Sequence, residues 1–179
     1  MKQLRVAIIG SRKTDVTLFP RMKEAILNSL NGFEIKEVRS GNAIGMDQLA
    51  NQFDKVSKRI FHHLPWWNYN EGLIPRHVAA DMYCDTEDRN NYTYIVTGED
   101  ERNDELLFKL FPWLRNKPLS FMKTVRRNYT IVMGVSSFDI PVDVVFWHTP
   151  TGRIEGGTYY GVKIAEHFGI KCVRLHPKE

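Results

Sequence analysis

Leu4-Arg5-Val6-Ala7-Ile8-Ile9-Gly10-Ser11-Arg12 opens the chain with an apolar run that Arg5 alone interrupts and a glycine ends. A strand with one wet face alternates apolar and polar residues. A continuous run belongs to a strand covered on both faces, and parallel sheets are where such strands occur. Working outward, Leu18, Met22, Ala25/Ile26 and Leu30 recur at helical spacing over residues 17–30, with Pro20 near the start and Asn31-Gly32 as a stop. Residues 35–39 read as a short second strand. Residues 46–58 resume a helix through Leu49, Ala50, Phe53 and Val56, and 59–64 form a third strand that Pro65 ends.

The order β-α-β-α-β predicts an α/β protein: a Rossmann-like, doubly wound, mostly parallel sheet with right-handed crossovers. The alternation resumes near the other end, with a strand in 141–148, a helix over 158–168 that Gly169 closes, and a last strand at 171–175. One domain spanning 1–179 is expected. Within it, residues 66–119 break the rhythm and are expected to form an insertion or lid over the sheet, strand-like at 92–96 and helical at 104–111. Residues 120–135 predict a helix with Phe121, Val125, Tyr129 and Val132 on one stripe, leaving Lys123, Arg126 and Arg127 to face solvent or ligand.

The 179 residues carry a net charge of +4, which favours phosphate-bearing partners in general without singling out nucleic acid. Cys84 and Cys172 are the two cysteines, too far apart for a metal or redox motif, so neither a disulfide framework nor a metal site is expected. No apolar stretch approaches the roughly 20 residues of a membrane span, which predicts a cytoplasmic protein with no membrane partner. No cofactor is implied.

Three glycine-bearing segments follow strands and precede helices, where a parallel sheet presents free N–H groups to an anion. The first is Gly10-Ser11-Arg12, offering a sharp turn, a hydroxyl and a charged fork, and also readable as a plain turn. The second is Ser40-Gly41-Asn42-Ala43-Ile44-Gly45-Met46-Asp47, whose small residues leave room for a phosphate, with Asp47 placed either for sugar hydroxyls or to stabilise its own helix start. The third is Glu155-Gly156-Gly157-Thr158, in which Glu155 is either a base or nucleophile toward a sugar carbon or a solvated loop residue. Arg127 and Asn128 add a fork for an anion and an amide for a base or sugar edge. Trp66, Trp67 and Tyr69 are placed to stack a base, or to fill the core, and His148 ends the 141–148 strand. The neighbours His62 and His63 should point to opposite faces.

In this order the segments resemble the SLOG superfamily of Rossmann-like nucleotide-binding proteins, which includes the DNA-processing protein DprA and the LOG phosphoribohydrolases. The resemblance rests on Gly10-Ser11-Arg12, on the 40–47 loop with Ala50 following, on Arg127-Asn128 with Met133 downstream, and on Gly156-Gly157-Thr158. The 40–47 loop is most similar to the DprA type, and Arg127-Asn128 with the Asp143-containing strand resembles small phage and bacterial members. The resemblance implies a pocket for a nucleotide or nucleotide-derived metabolite. It departs from the LOG enzymes where they carry a catalytic glutamate after the glycine-threonine turn, because here Tyr159-Tyr160-Gly161 follows and Glu155 precedes.

The leading expectation is therefore a nucleotide-binding domain with phosphate on the 41–45 and 156–158 backbones, assisted by Ser11, Arg12 and Arg127, with Asp47 taking the sugar. N-glycosidic hydrolysis or transfer is subsidiary, with Glu155 or a bound water attacking the anomeric carbon while the phosphate is fixed, and Glu155 and Arg127 as the catalytic candidates. The competing classes are single-stranded DNA binding of the DprA type along Lys123, Arg126 and Arg127, and a protein-interaction module using 66–119; a homo-oligomer is left open.

Overall fold

The computed structural model describes residues 2–70, 92–135 and 140–176. Six strands, β1 (Gln3–Gly10), β2 (Glu34–Ser40), β3 (Ser57–Leu64), β4 (Tyr92–Val96), β5 (Val144–His148) and β6 (Lys171–Arg174), make one sheet in the order β4-β3-β2-β1-β5-β6. All five pairings are parallel. The chain runs from β1 outward to β4, then returns to the other side of β1 for β5. That reversal opens a crevice at the C-terminal ends of β1 and β5, where doubly wound sheets hold their ligands.

From Val6 to Ile9 β1 is apolar because its two faces feed two cores. Val6 and Ile8 pack with Met22 and Ile26 of α1 (Phe19–Ser29) and with Leu49 and Phe53. Ala7 and Ile9 pack with Leu107 of α2 (Asp104–Leu110), Val125 and Val132 of α3 (Leu119–Met133) and Ile164 of α4 (Gly156–His167).

Two sequence expectations need correction. Residues 46–58 do not form an α-helix: Met46–Phe53 is a 3₁₀ helix, and β3 begins at Ser57. Its first turn is anchored from outside, since the Met46 N–H donates to Ser11 C=O (3.1 Å), the Ser40 hydroxyl donates to Asp47 C=O (3.1 Å), and the Gln48 N–H closes three residues back on Gly45 C=O (3.0 Å). Tertiary bonds have overridden the helical period. The stretch 66–119 is also no simple cover: Tyr92–Val96 is edge strand β4 of the sheet itself, paired with β3, and Leu107, Phe111 and Leu114 enter the second core. Periodicity does not distinguish a strand that joins the main sheet from one lying over it. Residues 71–91, Cys84 among them, lie outside the described residues. Burial raises the Cys172 thiol to about 11, so it is not a reactive thiolate. Among the described residues no helix is long and apolar enough to cross a membrane.

His62 and His63 do point to opposite faces. The His62 Nε2–H donates to Asn51 Oδ1 (2.8 Å) while His63 Nδ1 meets Thr130 Oγ1 of α3 (3.1 Å). Burial holds the His62 imidazole down to about 4, and burial aided by Arg39, His62 and Arg127 holds His63 well below its ordinary value. Both are neutral in the fold, so the unfolded chain binds more protons than the native one as pH falls below about 6.5. The stability tied to His62 is complete above that value and is lost toward pH 4, amounting to about 2 kcal/mol between pH 8 and pH 5. Urea unfolding at the two pH values should show at least that loss, less in His62→Gln. The fully buried Phe53 supplies a second check on the fold: Phe53→Ala should lower the unfolding free energy by about 3–5 kcal/mol in the same assay.

Candidate functional site

Three turns meet at the crevice, each fixed by its own local chemistry. At Gly10 a Cβ would lie 2.3 Å from the His148 carbonyl and 2.4 Å from Met46 Cγ, so only glycine lets β5 and the 46–53 segment close around the end of β1. The Ser11 N–H donates to His148 C=O (3.0 Å), and Ser11 C=O receives the N–H groups of Thr14 (3.2 Å) and Met46 (3.1 Å). This braced turn sends Arg12 and Lys13 outward. The Arg12 Nη2 donates to the Tyr69 hydroxyl (3.1 Å), and among the described residues neither cation forms an ion pair.

The second turn already holds an anion, and it is the chain's own. Asp47, 4% exposed, takes the Ala43 N–H on Oδ2 (3.1 Å), and the nearby Gly41 amide also favours its charged form. Burial pushes its carboxyl above the usual carboxylate range, opposed by the Arg127 charge, the Ala43 amide, Arg12 and the Gly41 amide. The sequence offered these amides to a ligand phosphate; the structure gives them to Asp47. The remaining residues of that turn serve the scaffold. The Ser40 hydroxyl bonds Ile8 C=O (2.7 Å), Asn42 is buried with its Nδ2 on Tyr69 C=O (3.4 Å), and Gly45 (φ 82°) would place a Cβ 2.5 Å from Ser11 C=O.

Arg127 ties the turns together. Its Nη1 donates to Gly41 C=O (3.0 Å) and its Nη2 to Asn128 Oδ1 (3.0 Å), while Asn128 Nδ2 donates to Gly157 C=O (3.0 Å). Thus β2, α3 and the start of α4 are held by one run of hydrogen bonds. Arg127 is 7% exposed, lies over the Tyr69 ring at 5.6 Å, and its Nε is buried without a partner among the described residues. Among the described residues no carboxylate lies within 4.0 Å of this guanidinium.

The third turn starts α4. Its first backbone bond inside the helix runs from Tyr159 N–H to Glu155 C=O, so the amides of Gly156, Gly157 and Thr158 have no partner within the helix. Glu155 does not cap them; its exposed carboxylate accepts from the Thr151 hydroxyl (2.9 Å).

A cavity of about 600 Å³ lies between these turns. On its wall are the expected residues Gly10, Ser11, Arg12, Ala43, Asp47, Arg127, Asn128, Glu155, Gly156, Gly157 and Thr158. Ser40, Gly41, Asn42 and Gly45 stand behind it. Trp66 joins the wall and Trp67 does not; His148 is turned away, its Nδ1 donating to Leu175 C=O (3.1 Å). The sequence reading missed Lys13, adjacent to Arg12 in the same turn, and an apolar side made by Ile9, Pro118, Phe121 and Tyr160. Phe121, Thr124 and Asn128 follow the spacing i, i+3, i+7, which was a visible signal of a shared helix face.

The basic face expected on α3 is absent as such. Arg126 is buried and forks onto Asp104 (2.8 and 2.6 Å), with Glu101 (3.2 Å) and Gly98 C=O (3.2 Å) completing its shell, and Lys123 is paired with Glu99. Comparisons with protein-family models, curated proteins and solved structures gave no match.

Replacing the Arg127 fork by an ammonium removes its planar two-sided contact. Arg127→Lys should therefore destabilise the protein by about 2–3 kcal/mol by urea titration, two buried charge-assisted bonds being involved.

Proposed function

We propose that this protein binds a nucleotide or nucleotide-derived small molecule in the crevice cavity, its phosphate on the Gly156, Gly157 and Thr158 amides. The observation that carries the reading is a buried guanidinium, Arg127, with no ion-pair partner among the described residues, on the wall shared with the open start of α4. A buried cation without a contacting counter-charge is costly, and a helix N-terminus attracts negative charge, so both features favour an anion at the same place. Ser11, Arg12 and Lys13 line the cavity and add a hydroxyl and two exposed charges. On the same wall, Trp66, Phe121 and Tyr160 offer apolar faces of the kind a base or sugar packs on.

Glu155 gives the hydrolase reading its one specific support, because it lies on this wall next to the helix start, with its carboxylate held by Thr151. In that reading the fixed phosphate positions the anomeric carbon, and the glutamate directs a water to it. The DNA-binding alternative draws no such support, since the carboxylates around Lys123 and Arg126 occupy two of its three cations.

Calorimetric titration with nucleoside monophosphates tests the binding claim. Saturable binding is expected, and Arg12→Ala should weaken it roughly fivefold without changing the melting temperature, because Arg12 is exposed and makes one hydroxyl contact. Absence of heat with every monophosphate tried would remove the proposal. Chromatography of the same mixtures, with wild type and Glu155→Gln, decides hydrolysis: release of free base by the wild type alone supports it.

A further inference from the structure

Asp47 is an unusual neighbour for an anion site. Its carboxylate is buried on the cavity wall, it accepts the Ala43 amide with the Gly41 amide nearby, and the Arg127 guanidinium stands just across Gly41. A Cβ on Gly41 would sit 2.6 Å from Asp47 Oδ2 and 2.9 Å from Arg127 Cζ, which shows how closely the two charged groups flank that one residue. They are nonetheless not within ion-pair distance, so Asp47 is a nearby rather than a contacting counter-charge for Arg127.

We infer that Asp47 is a resident counter-anion whose protonation accompanies entry of an anionic ligand, so the cavity binds its ligand more tightly as the solution becomes more acidic. This rests on the anion site proposed above and adds a rule for its regulation. An incoming anion beside Arg127 and the α4 start competes with Asp47 for the same positive field. Two like charges sharing one buried site favour protonation of the more easily neutralised one. Linkage then requires that whatever protonates Asp47 also strengthens the anion, by the same factor.

The other charged groups near this site set the controls. Arg12 of the first turn and Arg127 of α3 favour the Asp47 anion, while Glu155 at the start of α4 is a second carboxylate on the wall and Lys13 a further cation. His63 of β3 lies near Arg127 beneath α3 and is held neutral by burial and by the neighbouring cations.

Sulfate keeps its double charge across the working range and therefore reports the protein's protons alone. Its affinity, by calorimetry at pH 8 and pH 5.5, should rise about tenfold toward the lower pH in wild type, with net proton uptake shown by buffers of different ionisation enthalpy. Asp47→Asn should bind sulfate more tightly at pH 8 and lose most of the pH dependence, whereas Glu155→Gln should keep it. Equal wild-type affinity at both pH values with no proton uptake overturns the inference while leaving the anion site standing. Retention of the full dependence in Asp47→Asn overturns it too and assigns the proton elsewhere. Failure of wild type and Asp47→Asn to bind sulfate at either pH overturns both this inference and the site beneath it. The buffer comparison needs no variant, so a poorly folding Asp47→Asn protein does not prevent a decision.

Discussion

A single guanidinium, buried between the end of β2, helix α3 and the start of α4, holds the crevice in shape. Arg127 reaches Gly41 with one nitrogen and Asn128 with another, and Asn128 passes the contact on to Gly157. Because the fork is planar and its donors diverge at fixed angles, it sets the separation of these segments as well as their contact. The cavity is the space left between parts that this network keeps apart.

Charge decides what kind of occupant the arrangement would favour. A desolvated cation calls for negative charge, and Asp47 supplies some of it from a distance beyond a contact ion pair. The three amides that open α4 belong to residues on the same wall, with no side-chain cap among the described residues. Two sources of positive potential thus converge on one volume, and the carboxylates on its boundary, Asp47 and Glu155, determine how much of it is already neutralised. On the same helix, Arg126 and Lys123, one and four residues before Arg127, have carboxylates of their own.

Much of this was legible before any coordinates. The apolar run of β1, broken only at Arg5, predicts a strand buried on two faces, and Val6 and Ile8 against Ala7 and Ile9 show the two cores it serves. The three turns were visible as small residues between strand and helix patterns. What misled was local similarity of form. The 46–53 segment has a helix's spacing but takes its bonds from Ser11 and Ser40, and the 92–96 strand looked like part of a cover because nothing in its five residues names its neighbour. The 40–47 loop looked like an open cradle because a glycine-rich sequence does not show which carboxylate will fill it.

By itself, the sequence determined the alternation of strands and helices apart from the 46–53 segment, the parallel character of the sheet and the turns that reach its C-terminal rim, since those follow from apolar periodicity and backbone sterics acting over a few residues. Only the tertiary structure decided which charges are spent. Asp47 on its own loop, Arg126 on Asp104 and Arg127 without an ion-pair partner among the described residues are outcomes of distances between segments 4 to 86 residues apart in the chain. Coulomb energy and desolvation depend on those distances and on burial, quantities that a linear order of residues does not contain.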